Sequence, residues 1–417
     1  MFLLISIYLS FSILTITTPY NIMNIVNIIL NTINPLFYKT FYIVNRRGFP
    51  YTVHNIYYIL KNQRGTSGVM HSKMRCVKKE SYSRGISVAT VGIPAPGPDE
   101  VLIRVRYAGI CGTDLHTYKW DEWSQRRIKL PLIMGHEFMG EVCQSGENAG
   151  SFRLGQRVSA EGHITCGLCR CCKNGQAHIC TDVKIIGVDM DGSFAEYVCV
   201  PEKNVWPVHD RIPDRYAALF DPIGNAMHAV MKNPVSMKTV LITGAGPIGL
   251  FAISIAKENG ASKIIVIEPN PFKKVIALKS GADAVFSPDE DYLMNKILEV
   301  TGIDGPDVFL EMSGYLSSIR LGMDILCNGG TAILLGIPSR EIPLNIAEEI
   351  VFKGITIHGI TGRRMYETWY QSERFLLKAG KAVEPIITHT VNIDNIEEGF
   401  LLMEKGDAAK VLIEIKD

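Results

Sequence analysis

The sequence predicts an α/β protein in which a doubly wound parallel sheet is joined to a separate β-rich domain. Three observations predict it. From about Met237 onward, apolar runs such as "KTVLITG", "KIIVIE", "DVFLEMSG" and "GTAILLGI" alternate with helical stretches, the pattern of parallel strands covered on both faces. Upstream, "GISVATVGIPAPGPDEVLIRVRYAGICGTD" alternates β-type runs with Pro and Gly turns. Between these two regions, "CGLCRCCKNGQAHIC" packs five cysteines into one loop at positions 166 to 180.

Composition bounds the rest. A chain of 417 residues is long enough for two or three domains, each with its own core. With 43 basic and 42 acidic residues the formal net charge is +1, which gives no electrostatic case for a nucleic-acid partner. The N-terminus differs from everything after it: "MFLLISIYLSFSILTITTPY" is apolar, the first cation is Lys39, and no acid precedes Glu80. It lacks the basic n-region and clear cleavage site of a signal peptide, and it barely reaches the roughly 20 apolar residues of a membrane span. Three readings stay open for it: translated upstream sequence of an AT-rich gene, a targeting segment, or a short anchor. We expect residues 1–73 to lie outside the fold, a start at Met70 or Met74, and no stable membrane association.

The β-rich region, from about residue 74, carries two candidate metal sites. The loop reads as C-x2-C-x2-C-x7-C, offering Cys166, Cys169, Cys172 and Cys180. Four thiolates meet one Zn²⁺ tetrahedrally at about 2.3 Å, and short spacings let a single loop wrap the ion. Cys171 is the odd one out and should point away. A disulfide reading strands a thiol and needs an oxidising compartment; an iron–sulfur cluster fits poorly with the nucleotide-binding pattern downstream. The second candidate is Cys111 with His136, 25 residues apart in "GICGTDLHTY" and "PLIMGHEFMGEV", in the company of Thr113, His116, Glu137 and Asp221. Spacing alone leaves two readings: ordinary buried Cys and His, or a catalytic zinc with one position open to substrate.

In the parallel-sheet region, "TVLITGAGPIGL" places Gly244, Gly246 and Gly249 directly after a strand and at the opening of a helix. Such a turn lets backbone approach a pyrophosphate that the helix N-terminus faces. Glu268 ends the next strand about 20 residues on, where an acid accepts hydrogen bonds from the adenine ribose and repels a 2′-phosphate. NAD is therefore expected over NADP, a preference that nearby Lys273 weakens slightly.

With both cysteine patterns and the glycine turn in this order, residues 74–417 resemble the zinc-dependent medium-chain dehydrogenases. "WDEWSQ", "EGHITCG", "FDPIGNA" and "MYETWY" resemble the members that act on L-threonine, whereas polyol-oxidising members usually carry Glu-Pro at Asp221-Pro222. The resemblance implies a chaperonin-10-like catalytic domain over 74–223, a Rossmann domain over 224–363, and a return to the catalytic domain over 364–417. It implies catalytic zinc ligands at Cys111, His136 and Glu137, with Asp221 or water as the alternatives for completing the shell. It implies a proton relay through Thr113 and His116, with Asp221 tuning the zinc and His163 touching substrate. Cofactor contacts carry over to Ile248, Glu268, Lys273, Leu335, Gly336, Ile337, Ile360 and Thr361. The whole implies a cytoplasmic homotetramer that uses NAD and two zinc ions per subunit to oxidise a small-molecule substrate, L-threonine. A polyol or 2,3-butanediol substrate, or a zinc- and nucleotide-binding protein without turnover, are the rival readings.

Overall fold

The computed structural model describes residues 42–44, 50–52, 72–302 and 304–416. The chain divides into two compact units at Ser72. The first contributes one described hairpin, Tyr42–Val44 paired antiparallel with Pro50–Thr52. Of the proposed extension 1–73, Ser72 and Lys73 belong to the second unit, and the rest of that reading lies outside the described residues. Among the described residues no helix is long and apolar enough to cross a membrane.

The second unit opens with strand Lys73–Lys79, in which Met74 is an interior, 3% exposed residue. This strand pairs with Ser87–Gly92 and Leu132–Ile133 in a three-stranded sheet. The larger mixed sheet uses β1 (Glu100–Gly109), β2 (Glu137–Ser145), β3 (Arg157–Ala160), β4 (Tyr197–Pro201) and β5 (Val205–Pro207). Inward positions such as Val101, Ile103, Val105, Phe138 and Val142 build its core, as alternation in "EVLIRVRYAG" predicts.

Six parallel strands follow: β6 (Thr239–Thr243), β7 (Lys263–Ile267), β8 (Ala284–Phe286), β9 (Val308–Glu311), β10 (Thr331–Leu334) and β11 (Thr356–Gly359). Their spatial order is β8-β7-β6-β9-β10-β11, so the sheet reverses direction of growth between β6 and β9. That switch point opens a crevice at the carboxyl ends of the strands. The apolar runs are buried on both faces. Val240, Ile242, Val266 and Leu310 join a core that contains helices α2 (Phe220–Val230) and α3 (Pro247–Glu258); Leu241, Ile265 and Phe309 pack on the opposite side.

The chain then returns to the mixed sheet. Strands β12 (Ile387–Asn392) and β13 (Lys410–Glu414) extend it, with β13 seated antiparallel beside β1 through Leu412↔Gly109. Strand order there is β5-β3-β2-β1-β13-β12, with β4 also paired to β1. Close approach of β1 and β2 needs Gly140: a Cβ there would lie 2.1 Å from the Arg104 carbonyl oxygen. Gly140→Ala must push these strands apart. We expect it to cost about 1–3 kcal/mol, measured as a lowered urea midpoint.

Candidate metal centres and nucleotide site

Four of the five loop sulfurs converge. The Sγ atoms of Cys166, Cys169, Cys172 and Cys180 all lie within 4.8 Å of one another, and Cys171 is not among them. Zinc–sulfur bonds of about 2.3 Å put the edges of a tetrahedron near ~3.8 Å; the Cys180–Cys166 and Cys169–Cys180 separations are 3.4 and 3.9 Å. Backbone amides point at the sulfurs. Leu168 and Cys169 donate to Cys166, Cys172 donates to Cys169, and Cys166 and Asp182 donate to Cys180. Such donors favour thiolates, and those from Cys172 and Thr181 bring the Cys169 thiol down to about 5. Burial and the neighbouring sulfurs push Cys172 up instead, to about 12. Four sulfurs converging at tetrahedral separations, with amides aimed at three of them, suit a metal. All ten cysteines are free, so no disulfide staples this loop.

The second cluster is built from strand ends. Cys111 follows β1 and caps helix α1 (Gly112–Lys119), while His136 directly precedes β2. Because Gly109 pairs with Glu137 across β1 and β2, Cys111 and His136, 25 positions apart, are brought back to one point. Ligand atoms of Cys111, His136 and Glu137 lie within 4.8 Å of one another; Asp221 is outside the group. His136 Nδ1 is buried without a hydrogen-bond partner, while Glu137 Oε2 is paired with the buried Lys410 ammonium. An unpaired polar atom this deep is costly, and a metal beside a sulfur satisfies it. Thr113 Oγ1 is 3.9 Å from Cys111 Sγ, and His116 stands one turn on, with its Nδ1 against the Asp121 carboxylate.

At the switch point, Gly244 has φ +89° and its amide donates to the Ile267 carbonyl. A Cβ at Gly244 would meet Ser313 Cβ at 2.9 Å, so both backbone angle and space require glycine. Gly246 is the N-cap of α3, Pro247 its first residue, and Ile248 and Gly249 lie in its first turn. Glu268 immediately follows β7 and is 6% exposed; its two oxygens accept from the Ala245 and Asn270 amides. Lys273 lies in the first turn of α4 (Pro271–Lys279), its amide capped by Asn270 Oδ1. Leu335, Gly336 and Ile337 follow β10, and Ile360 and Thr361 follow β11. All the expected nucleotide contacts thus fall along one edge of one sheet.

Comparison with known proteins agrees with this geometry. Residues 97–210 match the alcohol dehydrogenase GroES-like domain and 247–378 the zinc-binding dehydrogenase domain. The chain is 46% identical over 346 residues to the L-threonine 3-dehydrogenase of Caldanaerobacter subterraneus, spanning 82% of this chain and 99% of that one. It belongs to the zinc-dependent medium-chain dehydrogenases. The L-threonine 3-dehydrogenase of Pyrococcus horikoshii is 45% identical over 349 residues, 83% of this chain and all of its own. Among solved structures, an alcohol dehydrogenase from Thermotoga maritima superposes with a TM-score of 0.77 at 25% identity, covering 82% of this chain and 100% of its own. A zinc-binding dehydrogenase from Sinorhizobium meliloti bound to NADP gives 0.76 at 28%, with 82% and 100% coverage.

This medium-chain dehydrogenase also has site residues that no local motif announces. Glu161 is fully buried and accepts from Arg363 Nε at 2.8 Å, Arg363 Nη2 at 2.6 Å and Trp369 Nε1 at 2.8 Å. It also holds the His163 ring at 2.9 Å. Arg363 forms a further ion pair with Asp221 at 2.5 Å, off the line of a hydrogen bond. On the other side of the cluster, Lys410 is 1% exposed, pairs with Glu137 and donates to the Ile110 carbonyl at 2.9 Å. Nothing near Glu161 or Glu137 in the sequence points to partners 202 or 273 positions away; only the fold brings them in.

Burial by itself raises a carboxyl pKa, but Arg363 and the bonds from His163 and Trp369 outweigh it and bring Glu161 down to about 2. An unfolded Glu titrates near ~4.3. The folded value is the lower, so the pair's contribution is complete above that pH and is lost as pH falls through about 2. Glu161→Gln leaves Arg363 with a deficit of charge. We expect roughly 3–5 kcal/mol of destabilisation at pH 7, with the gap to wild type narrowing below about pH 4, measured by urea unfolding across pH.

Proposed function

We propose that this dehydrogenase converts L-threonine and NAD⁺ to 2-amino-3-oxobutanoate, NADH and a proton. The observation that carries the reading is likeness along whole chains: several L-threonine 3-dehydrogenases match at 44–46% identity over 98–100% of their length. The converging Cys111, His136 and Glu137 supply the chemistry that this reaction needs.

Zinc held by these three residues would act as a Lewis acid that lowers the pKa of the β-hydroxyl, and the nicotinamide would accept the hydride. Thr113 is placed beside Cys111 to take the hydroxyl proton, because a hydroxyl both accepts and donates. His116, exposed and oriented by Asp121, releases protons to solvent. Lys410 offsets the charge of Glu137, and Asp221, held by Arg363, adds negative charge beside His136. His163, its ring fixed by Glu161, is the side chain placed for the amino-acid end of the substrate. The four-cysteine loop holds a second, structural zinc, giving two per subunit. The catalytic domain takes 74–223 and 364–417, and the nucleotide domain 224–363.

NAD is favoured because the Glu268 carboxylate stands where a 2′-phosphate would meet like charge, and each oxygen keeps a lone pair for a ribose hydroxyl. Ten free cysteines support a reducing, cytoplasmic setting. Edge strand β11, with Val351 and Phe352 exposed at 64% and 72% nearby, supports self-association, in the proposed form a homotetramer.

The function is tested by NADH absorbance with L-threonine, serine, sorbitol and 2,3-butanediol. L-Threonine should give the highest kcat/KM; a higher value with sorbitol or butanediol overturns the assignment. Elemental analysis should find two zinc ions per subunit. Cys111→Ser should keep the fold and one zinc while turnover falls below detection, and an unchanged rate would rule Cys111 out as a ligand.

A further inference from the structure

Glu311, the last residue of β9, is a fully buried carboxylate that the reaction above does not use. Among the described residues it has no ion-pair partner. Its contacts are instead donors from the loops around it. Oε1 accepts from Thr243 Oγ1 at 3.2 Å, Ser313 N at 2.8 Å, Gly314 N at 2.9 Å and the Ser313 hydroxyl. Oε2 is 3.1 Å from Gly314 N, and a Cβ on Gly336 would come within 2.3 Å of it.

These contacts belong to three loops. The first leaves β6 and becomes the Gly244 turn. The second, 312–315, leaves β9. The third, 335–337, leaves β10. The loops also touch one another. Gly244 leaves no room for a Cβ against Ser313, and Gly314, at φ +70°, abuts the Ile337 carbonyl. Expected nucleotide contacts lie on the first and third loops, and the second fills the space between them.

We propose that Glu311 is a positioning residue of the nucleotide site. A single carboxylate, shared among Thr243, Ser313, Gly314 and the open face of Gly336, locks the three loops into one arrangement before a nucleotide arrives. Binding then spares the cost of ordering them. The proposal rests on the nicotinamide-nucleotide reading of the sheet edge and not on the identity of the alcohol substrate.

The test is NADH titration by fluorescence on the intact enzyme, which needs no substrate. Glu311→Gln is nearly isosteric but turns one acceptor into a donor facing donors. It should raise the NADH Kd roughly tenfold, the scale of one lost hydrogen bond to a charged group, and raise KM for NAD likewise. At saturating NAD, kcat should stay within about twofold of wild type. Without nucleotide, the Ser313 and Gly314 amides should exchange hydrogen faster. Ser313→Ala and Thr243→Val should each weaken NADH binding by a smaller factor, and Ser313→Ala should add little on top of Glu311→Gln. A folded Glu311→Gln enzyme with wild-type NADH affinity overturns the proposal, as does a lowered Tm with unchanged Kd. Should Glu311→Gln not fold, wild-type affinity in both single variants overturns it. A wild type that binds NADH but ignores L-threonine removes only the substrate reading; one that binds no NADH removes this proposal as well.

Discussion

A guanidinium with 1% of its surface exposed has to be neutralised where it lies, and much of this molecule is arranged around doing so for Arg363. An isolated buried charge costs several kcal/mol even after relaxation. Arg363 meets two carboxylates, Glu161 beyond the end of β3 and Asp221 in the first turn of α2. It follows β11, the last strand of the parallel sheet, so its pairing ties that segment to the end of β3 and to α2. The passage is narrow. A Cβ on Gly224 would sit 2.9 Å from Arg363 Cδ, so α2 carries glycine where the side chain crosses it. Trp369 closes the far side by donating to Glu161 and stacking on Phe220, with centroids 5.1 Å apart.

The two sulfur-bearing sites solve the same problem at different ranges. In the 166–180 loop the chain supplies its own ligands and its own amide donors within fifteen residues, so little else has to be in place. At the Cys111 site the ligands come from two strand ends and their charge is balanced by Lys410, drawn from the other end of the chain. The first is a local constraint and the second a tertiary one. That difference fits the roles proposed for them, a closed structural shell in one case and a site open to substrate in the other.

This contrast also explains what could be read in advance. The Cys166, Cys169, Cys172 and Cys180 set was legible because the spacing itself carries the geometry, and the odd Cys171 could be set aside. The glycine turn was legible for the same reason, since strand, turn and helix are contiguous. Cys111 and His136 were ambiguous on spacing, because whether they meet depends on the β1–β2 register. Glu161, Arg363 and Lys410 were invisible: each is an ordinary charged residue in sequence and becomes part of the site only through burial and a partner hundreds of positions away. Glu311 was read as a strand residue in "DVFLEMSG", which is true and omits its contacts. Of Glu137 and Asp221, only the fold separates the one whose carboxylate joins the Cys111–His136 cluster from the one that pairs with Arg363.

Strand β13 lies between β1 and β12, so the mixed sheet is finished by chain made after the whole parallel sheet. Until β13 has been made, the edge of β1 beside Gly109 lacks that neighbour, and Glu137 lacks Lys410. A nascent chain emerging from the ribosome therefore carries a half-closed sheet and an unbalanced cluster while the parallel sheet, encoded in the middle, is already free to form. Unpaired edges of this kind invite association between chains. A stop just before Lys410 would thus leave every proposed zinc ligand and nucleotide contact in the product, and still deny the mixed sheet its completion.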